Sequence, residues 1–446
     1  MNSWFGETNT KWDVVPLREF AVIGTGHTPS RDNESYWENC NIPWVTVEDL
    51  RKNGINSLKP ITDTSQKISE LGLKNSAAVL HPKGTVMLSR TASIGFSCVI
   101  DSEMATTQAF VTWTPKKNKL NSDYLNATLM VMRDHYFALA YGATHLTIYF
   151  PDIKTLKIPL PPLLDQVKIA NFLGHETANI DALIEKQQQL IKLLKEKRQA
   201  VIGHAVTKGL NPNAPMRDSG VEWLGEVPEH WDVAKVSHRY EIRLGKMLDV
   251  KKVTGNHLGS YLRNTDVQWD RINTDDLPQM DFRPEEYQRY SVKKGDLIVC
   301  EGGDIGRSAI WNLDETCFYQ KALHRLRPHY HSKDHTRFMF YLMFDAVHQE
   351  RLSGGIEKAT IAHLPAETFR QYRFAYPPHV EQVTISNFLD KINTKFELVE
   401  ATARKQIELF QERRTALISA AVTGKIDVRN WQAPEPSHTN NKEVAP

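Results

Sequence analysis

Residues 161–173 read PPLLDQVKIANFL, and residues 377–389 read PPHVEQVTISNFL. Extended to 161–210 and 377–426, the two segments align without a gap at a constant offset of 216 positions, and 17 of the 50 pairs are identical. A weaker match joins the regions before them, as in KWDVVPL at 11–17 and HWDVAKV at 230–236. A long internal repeat decides the architecture before any local motif does. The chain therefore consists of two related halves, each a variable region followed by a similar segment.

The apolar spacing within each repeated segment predicts a long amphipathic helix. Heptad spacing gives each helix one seam, with Gln187 and Gln406 as polar seam positions that can fix the alignment. The two seams would most simply pack against each other as an antiparallel coiled coil, although the spacing also allows each helix to cap only its own domain. The residues predicted to form the spacer and its subunit interface are Phe172, Leu173, Ile180, Leu183, Leu190, Leu194, Phe388, Leu389, Phe396 and Phe410.

The variable regions contain short apolar runs opened by glycine, such as GTVML at 84–88 and GDLIV at 295–299, which are typical of strands. Frequent turn signals and a few helical runs accompany them. The predicted fold class is α+β, with two pseudo-repeated α/β domains separated by two long helices that form an antiparallel coiled coil. The predicted boundaries are a first variable domain at 1–158, a helical spacer at 159–208, a linker at 209–220, a second variable domain at 221–375, a second spacer at 376–426 and a disordered tail at 427–446.

The composition excludes several classes of protein. The 446 residues carry a net charge of only +2, so overall charge does not by itself indicate a nucleic-acid partner. No apolar stretch approaches the length of a membrane span, and the four cysteines are scattered without a CxxC pair. These features predict a cytoplasmic protein with reduced thiols and no membrane association.

The motifs of common enzymes are incomplete in this sequence. GTGHTPSR at 24–31 lacks the third glycine of a dinucleotide loop and the lysine of a phosphate loop. The histidines lack partners at metal-ligand spacing, and no Ser/His/Asp or Cys/His set can be assigned. The sequence therefore predicts no catalytic residue and no metal site.

Two related domains on paired helices form a pseudo-two-fold object. Helices of about 35–40 residues predict a rod of about 50–60 Å with one domain at each end. Two-fold readers of DNA place their reading elements about one turn of the duplex, or a multiple of it, apart. Glycine-flanked loops in both variable regions carry Arg, Lys, Asn, Ser, Thr and His, which bind bases or phosphates. The predicted DNA-binding residues are Thr28, Ser30, Arg31, Ser89, Arg90, Thr91, Thr144 and His145 in the first region, and Arg243, Lys246, Arg263, Asn264, Lys358 and Thr360 in the second.

Three further stretches carry a family resemblance. They are SGVEWLGEVPEHWDVAKV at 219–236, GTGHTPSRDNESYWENCNIPWV at 24–45, and IDALIEKQQQLIKLLKEKRQAVIGHAVTKGL at 180–210. Together with the second helical segment, they resemble the specificity (S) subunit of type I restriction–modification enzymes, the HsdS family, over residues 11–426. The departure is mild: Lys208-Gly209 stands where the second copy has Gly424-Lys425.

The resemblance implies a non-catalytic DNA-recognition subunit. Each variable domain would be a target-recognition domain that reads one half of a split double-stranded DNA sequence. The helices would set the unread gap and dock two modification (methyltransferase) subunits, with restriction subunits in the full complex. S-adenosylmethionine, ATP and Mg would then be bound by those partners and not by this chain. A self-contained modifying enzyme and a coiled-coil scaffold that does not bind DNA remain as competing hypotheses.

Overall fold

The computed structural model describes residues 12–54, 57–91, 93–142, 146–247, 254–353 and 363–433. The chain divides into two compact units. Unit 1 comprises Met1–Gln188 and Arg404–Pro446, and unit 2 comprises Gln189–Ala403. We call residues 12–160 head 1 and residues 216–376 head 2, since each is the globular part of its unit.

Unit 1 combines short strands with helices. Its strands are β1 Asp13–Pro16, β2 Ala21–Thr25, β3 Ile42–Val45, β4 Lys67–Ile68, β5 Val86–Ser89, β6 Ser97–Val99, β7 Ala105–Thr106, β8 Phe110–Pro115 and β9 Lys157–Leu160. Its helices are α1 Val47–Asn53, α2 Glu70–Lys74, α3 Ser122–Val131, α4 Arg133–Leu139, α5 Phe150–Ile153 and the long α6 Leu163–Lys208, which continues into unit 2. The strands form a four-stranded antiparallel sheet in the order β2–β8–β5–β6, a smaller sheet in the order β4–β3–β7, and the pair β1–β9.

Strand β5 shows why head 1 needs both sheets. All four of its residues are buried, and successive side chains of a strand point to opposite faces. Val86 and Leu88 join the main core cluster with α3, whereas Met87 joins a second cluster with Val45 and Leu50. A strand covered on both faces reads as a continuous apolar run, which is the pattern of GTVML.

Unit 2 repeats this architecture. Its strands are β10 Met216–Asp218, β11 Glu226–Pro228, β12 Asp232–Lys235, β13 Tyr240–Leu244, β14 Leu258–Leu262, β15 Val267–Gln268, β16 Arg271–Ile272, β17 Gln279–Asp281, β18 Ser291–Val292, β19 Leu297–Cys300, β20 Ser308–Ile310, β21 Cys317–Tyr319, β22 Leu323–Pro328 and β23 Arg373–Tyr376. Its helices are α7 Val236–Arg239, α8 Tyr287–Tyr290, α9 Thr336–His348, α10 Ala366–Gln371 and the long α11 His379–Val422, which continues into unit 1. The sheet order β13–β22–β19–β20 matches β2–β8–β5–β6, and the pair β12–β23 matches β1–β9. Strand β10 lies within the segment predicted as a linker and pairs with β11.

One glycine in each head identifies the heads as structural copies. A Cβ added at Gly26 would lie 1.9 Å from the carbonyl oxygen of Thr106, and one added at Gly245 would lie 2.2 Å from that of Gln320. Only glycine permits backbones to approach this closely. The same crossing of chains is therefore built into both heads, although their sequences have diverged.

A buried glutamine attaches each head to its long helix. Gln166 donates to the carbonyl of Pro161 (2.9 Å) and accepts from the backbone N–H of Asn121 (2.8 Å), which is the N-cap of α3. Gln382, its partner in the sequence repeat, donates to Pro377 (2.9 Å) and accepts from the N–H of His335 (2.9 Å), the N-cap of α9. This glutamine latch satisfies backbone groups at the starts of two helices at once, which explains the repeated Pro-Pro-x-x-x-Gln.

The buried isoleucines of α6 repeat every eleven residues, and the equivalent positions of α11 are buried or half-buried. In α6 the isoleucines Ile169, Ile180, Ile191 and Ile202 are all buried, and at the same offset of 216 the α11 positions are Ile385, Phe396, Ile407 and Ile418. Eleven residues correspond to three turns of about 3.67 residues, close to the natural period of a helix. The predicted heptad seam, with its period of 3.5, drifts off this face.

The drift leaves two positions of the predicted seam of α6 partly exposed. Leu183 is 42% exposed and Leu190 is 37% exposed, since the buried face passes through Ile180 and Ile191. Of the other spacer residues, Leu173 and Leu389 lie in the head cores, Phe388 is 37% exposed, and Phe172, Leu194, Phe396 and Phe410 are half-buried.

Within each unit the two long helices pair antiparallel through the same contact. In unit 1, Arg414 lies 3.0 Å from Asp181, and in unit 2, Arg198 lies 3.6 Å from Glu397. These four residues are related by the offset of the sequence repeat. The matched arginine–carboxylate pairs are polar contacts that the helices share in both units.

Both long helices contribute to the core of each head. The main cluster of unit 1 contains Leu173 from α6 and Val422 from α11, and that of unit 2 contains Ile202 from α6 and Ile385 from α11. The alternative in which each helix caps only its own domain is therefore wrong.

The structure differs from the predicted disorder of the tail at residues 427–433. Val428 is buried, and Trp431 packs edge-on against Phe172 with ring centroids 5.5 Å apart. Lys168 donates to the carbonyl of Arg429 (2.7 Å). The two apolar side chains anchor a segment that its polar and Pro-rich composition had suggested was unstructured. Residues 434–446 lie outside the described residues.

Candidate nucleic-acid interface

Three loops emerge together at one edge of the main sheet in head 1, by which we mean the edge formed by the ends of its strands. Strands β2 and β5 end at this edge and β8 begins there, because Thr25 pairs with Val111 and Ser89 pairs with Phe110. We define rim 1 as residues 26–31, 90–91 and 107–109. Rim 1 is therefore a continuous surface built from segments that are distant in sequence.

Head 2 has the same surface. Leu244 pairs with His324 and Cys300 pairs with Leu323, so residues 245–247, 301–303 and 320–322 meet at one edge and form rim 2. In each head the opposite edge of the sheet leads to the glutamine latch, because β8 and β22 run from the rim toward the residues that bind Gln166 and Gln382. The rims are thus the ends of the heads that point away from the helix attachments.

Most of the predicted residues of head 1 lie on rim 1. Thr28 donates its hydroxyl to the Gln108 side-chain oxygen at 2.7 Å, and Ser30 and Arg31 are exposed. The Arg31 guanidinium stacks 4.1 Å from the centre of the Trp37 ring and donates to the side-chain oxygen of Gln66 (3.1 Å). Stacking orients an arginine while its remaining N–H groups stay available, which suits bidentate recognition of a base or phosphate.

The strand end at 89–91 is less accessible. Ser89 is fully buried, so its predicted contact with DNA is wrong: strand β5, on which it lies, is covered on both faces. Arg90 is half-buried against Phe150, and burial lowers the pKa of its guanidinium. Thr91 lies on the rim, and its hydroxyl accepts from Thr147 (3.5 Å). Thr144 and His145 fall outside the described residues.

The three predicted basic residues of head 2 that the structure describes each have an acidic partner. Arg243 pairs with Glu241 at 2.9 Å, and Lys246 pairs with Glu286 at 2.6 Å. Arg263 pairs with the buried Asp266 at 2.8 Å, and its hydrogen bond to that carboxylate raises its pKa. These pairs hold segments of head 2 in place, and the Lys246–Glu286 pair reduces the free positive charge on rim 2.

Of the remaining predicted residues of head 2, one has hydrogen-bond partners within the head and two are not described by the structure. Asn264 donates to the carbonyl of Gly302 (2.6 Å) and accepts from Arg307 (3.0 Å), so its amide bridges two segments of the head. Lys358 and Thr360 fall outside the described residues.

The sequence reasoning missed one matched pair of rim residues. Gln108 and Lys321 are both exposed, in the turns that precede β8 and β22. Next to Lys321, Ala322 has a φ of +89°, a left-handed conformation that costs a non-glycine residue energy. Backbone strain of this kind concentrates at functional sites. Alignment of TTQAF at 106–110 with YQKAL at 319–323 would have paired the two turns.

The described part of the chain contains no cluster of three or more His, Cys, Asp or Glu side chains arranged to hold a metal ion. Of the helices within it, none combines the length and apolar character needed to cross a membrane.

Comparison with known families agrees with the repeated architecture. The family described as "Type I restriction modification DNA specificity domain" matches residues 9–193 and again residues 231–409, which together make up most of the chain. The chain belongs to this family. Each match covers most of one head and part of the long helix that follows it.

Relatives from the specificity family align with nearly the whole length of this chain. The MjaVIII specificity subunit of Methanocaldococcus jannaschii is 23% identical over 436 residues, which cover 94% of either chain. The EcoKI specificity subunit of Escherichia coli strain K12 is 20% identical over 461 residues, covering 99% of this chain and 94% of the relative.

Two solved structures share the fold. A chain from a structure of type I restriction–modification complex assembly and conformational transition superposes with a TM-score of 0.67, at 16% identity, covering 94% of this chain and all of that one. The HsdS subunit from Thermoanaerobacter tengcongensis superposes with a TM-score of 0.53, at 15% identity, covering 94% and 98%. At these identities the likeness establishes the fold alone.

Proposed function

We propose that this specificity-family chain is the DNA sequence-recognition subunit of a type I restriction–modification complex. Each head reads one half of a bipartite double-stranded target through its rim, and the paired helices set the length of the unread gap. The observation that carries the proposal is that two rims built from corresponding strand ends bear different side chains. Gln108 occupies the position in rim 1 that Lys321 occupies in rim 2.

The gap is tested by lengthening both helices together. Four residues inserted after Leu190 and four after Gln406, at repeat-related positions, add about 6 Å at about 1.5 Å per residue. That is nearly two base pairs at about 3.4 Å each. The matched control inserts four residues after Asn213, in an exposed turn outside either helix.

Mapping the methylated or bound sequence gives the readout of this experiment. We expect the helix insertions to lengthen the gap while both half-sites stay the same, and the control insertion to change neither. A changed half-site, or a gap that follows the control insertion, would contradict the proposal. Replacing residues 1–157 with the head of another family member should change one half-site only.

The proposal includes docking of two modification subunits, one at the start of each long helix. At the start of each helix, positions related by the sequence repeat are exposed in both copies and have the same polar or apolar character. Asn171 and Asn387 are identical and exposed, while Leu164 is 67% exposed and Val380 is 77% exposed. Two equivalent exposed surfaces on one chain suit two copies of one partner.

Introducing a negative charge at the two apolar positions tests the docking. Leu164→Glu and Val380→Glu should each remove one modification subunit from the complex, and the double variant should remove both, as measured by native mass spectrometry. Leu398→Glu is the control, since Leu398 is 68% exposed on α11 and its repeat equivalent is Ala182. Loss of subunits in the control alone would place docking elsewhere on the helix.

We propose that methylation and ATP-dependent cleavage are carried out by the modification and restriction subunits. S-adenosylmethionine, ATP and Mg would be bound by those subunits, and the complex would act in the cytoplasm. Equilibrium dialysis of the purified chain against labelled S-adenosylmethionine tests this division. We expect no saturable binding, whereas stoichiometric binding would favour a self-contained modifying enzyme. A chain without salt-dependent affinity for duplex DNA in the presence of its modification subunit would instead favour a scaffold.

A further inference from the structure

The turn that carries Gln108 is rigid and faces outward. It lies between the buried Thr106 and the buried Phe110, and the N–H of Phe110 donates to the carbonyl of Thr107 (3.2 Å). The N–H of Arg90 donates to the carbonyl of Ala109 (2.9 Å), which ties the turn to the end of β5. With its neighbours held in this way, the one exposed side chain of the turn projects from the middle of rim 1.

Thr28 fixes how the Gln108 amide presents its atoms. In the structure the threonine hydroxyl donates to the glutamine oxygen at 2.7 Å, and this oxygen is the acceptor of the pair. An amide oxygen keeps a second lone pair, and the adjacent amino group has two N–H donors. Gln108 therefore presents one donor and one acceptor side by side, which is the pattern that reads the N7 and N6 edge of adenine.

Lys321 occupies the same place in head 2 with different chemistry. It lies between the buried Tyr319 and the buried Leu323, and its N–H donates to the carbonyl of Lys246 (2.7 Å). The N–H of Glu301 donates to the carbonyl of Ala322 (2.9 Å), which repeats the Arg90–Ala109 tie of head 1. A lysine ammonium has donors and no acceptor, and it reads the two acceptors of guanine.

We propose that positions 108 and 321 are matched base-reading positions: Gln108 selects an A·T pair in one half-site, and Lys321 selects a G·C pair in the other. Thr28 is a positioning residue that acts through Gln108. The inference rests on the proposed function, and it adds which side chain in each head distinguishes base pairs and with what hydrogen-bonding chemistry. It also predicts that exchanging the two side chains exchanges the base preference at one position of each half-site.

The test is selection from a library of duplexes randomised over the whole target. It uses the full-length chain with its modification subunit, followed by sequencing of the bound DNA. Gln108→Ala should lower the preference at one base pair of one half-site about tenfold to a hundredfold and leave the other half-site unchanged. Gln108→Lys should move that preference from A·T to G·C, and Lys321→Gln should do the reverse in the other half-site.

Two further variants separate positioning from direct contact. Thr28→Val removes the hydroxyl and should weaken the preference at the position that Gln108 reads, whereas Thr28→Ser keeps the hydroxyl and should retain it. Lys117→Ala is the control for an exposed side chain, because Lys117 follows β8 at the edge of the sheet opposite rim 1.

The outcomes separate this inference from the proposed function. If Gln108→Ala lowers affinity equally for all sequences, or alters no position, Gln108 does not read a base and the inference fails while bipartite recognition stands. If the wild-type complex selects no bipartite sequence at all, the proposed function itself fails. A thermal unfolding curve like that of the wild type confirms that each variant is folded.

Discussion

Replacing Gln382 with glutamate changes one buried atom of the latch between head 2 and α11. The glutamine amino group donates to the carbonyls of Pro377 (2.9 Å) and Lys333 (3.0 Å), while its oxygen accepts from the N–H of His335 (2.9 Å). Glutamate has the same shape, so it leaves no cavity and keeps the accepted bond. It places an acceptor oxygen against two carbonyl oxygens, where only a protonated carboxyl can make a favourable contact.

The cost of this change depends on pH. A protonated carboxyl restores one of the two donated hydrogen bonds, and the lost one costs about 1 kcal/mol. The unfolded glutamate has a pKa of about 4.3, so keeping it protonated at pH 7 costs about 4 kcal/mol more, at about 1.36 kcal/mol per unit. Because the folded pKa is raised above the unfolded one, this second penalty is absent below about pH 4.3 and grows as the pH rises.

Hydrogen exchange followed by mass spectrometry measures the effect locally. The opening free energy of the amides in α9, Thr336–His348, should fall by about 2 kcal/mol at pH 5 and by about 5 kcal/mol at pH 7. Amides of head 1 should be unaffected. Gln166→Glu should produce the mirror result, with protection lost in α3, Ser122–Val131.

Gln411→Glu is the matched control, since Gln411 is exposed on the same helix. Three results would refute the reasoning: a Gln382→Glu penalty that does not grow with pH, a loss of protection that appears equally in both heads, or a control variant that is destabilised as much.

Three smaller changes have equally specific outcomes. Ala322→Gly should stabilise head 2 by about 1 kcal/mol, because glycine adopts a φ of +89° without strain, and chemical unfolding of the purified chain would register a loss of stability as a contradiction. Trp431→Ala should release the tail from Phe172 and speed proteolytic removal of the C-terminal segment, while an unchanged cleavage rate would show that the packing does not hold it. Arg263→Ala should lower the urea midpoint of unit 2, because it leaves the buried Asp266 without its ion pair, and a loss of preference at one base pair with unchanged stability would restore Arg263 as a base reader.

The architecture could be predicted from the sequence because the chain contains two copies of the same pattern. The identical residues at Pro161/Pro377 and Gln166/Gln382 reflect a structural constraint that both halves share, and in the structure both glutamines form the same latch. The α+β class, the two related domains and the paired helices are confirmed.

The sequence predicted less well which residues of the long helices are buried. A heptad and an eleven-residue repeat differ by only about 0.17 residues per turn. The two patterns coincide at Ile180 and separate by one residue at Leu190, where Ile191 is buried instead. The isoleucines at eleven-residue spacing were visible in the sequence, but the leucines between them supported the heptad equally well.

The sequence by itself determined that the chain has two copies of one design, where each copy begins its long helix, and which loops carry polar residues. Only the tertiary structure decided which of those side chains are free to meet a partner. Arg31 is stacked and exposed, whereas Arg263 is tied to Asp266 and Ser89 is buried. The reason is that a side chain's freedom depends on which groups the fold brings within hydrogen-bonding distance, and those groups, such as Thr28 and Gln108, lie far apart along the chain.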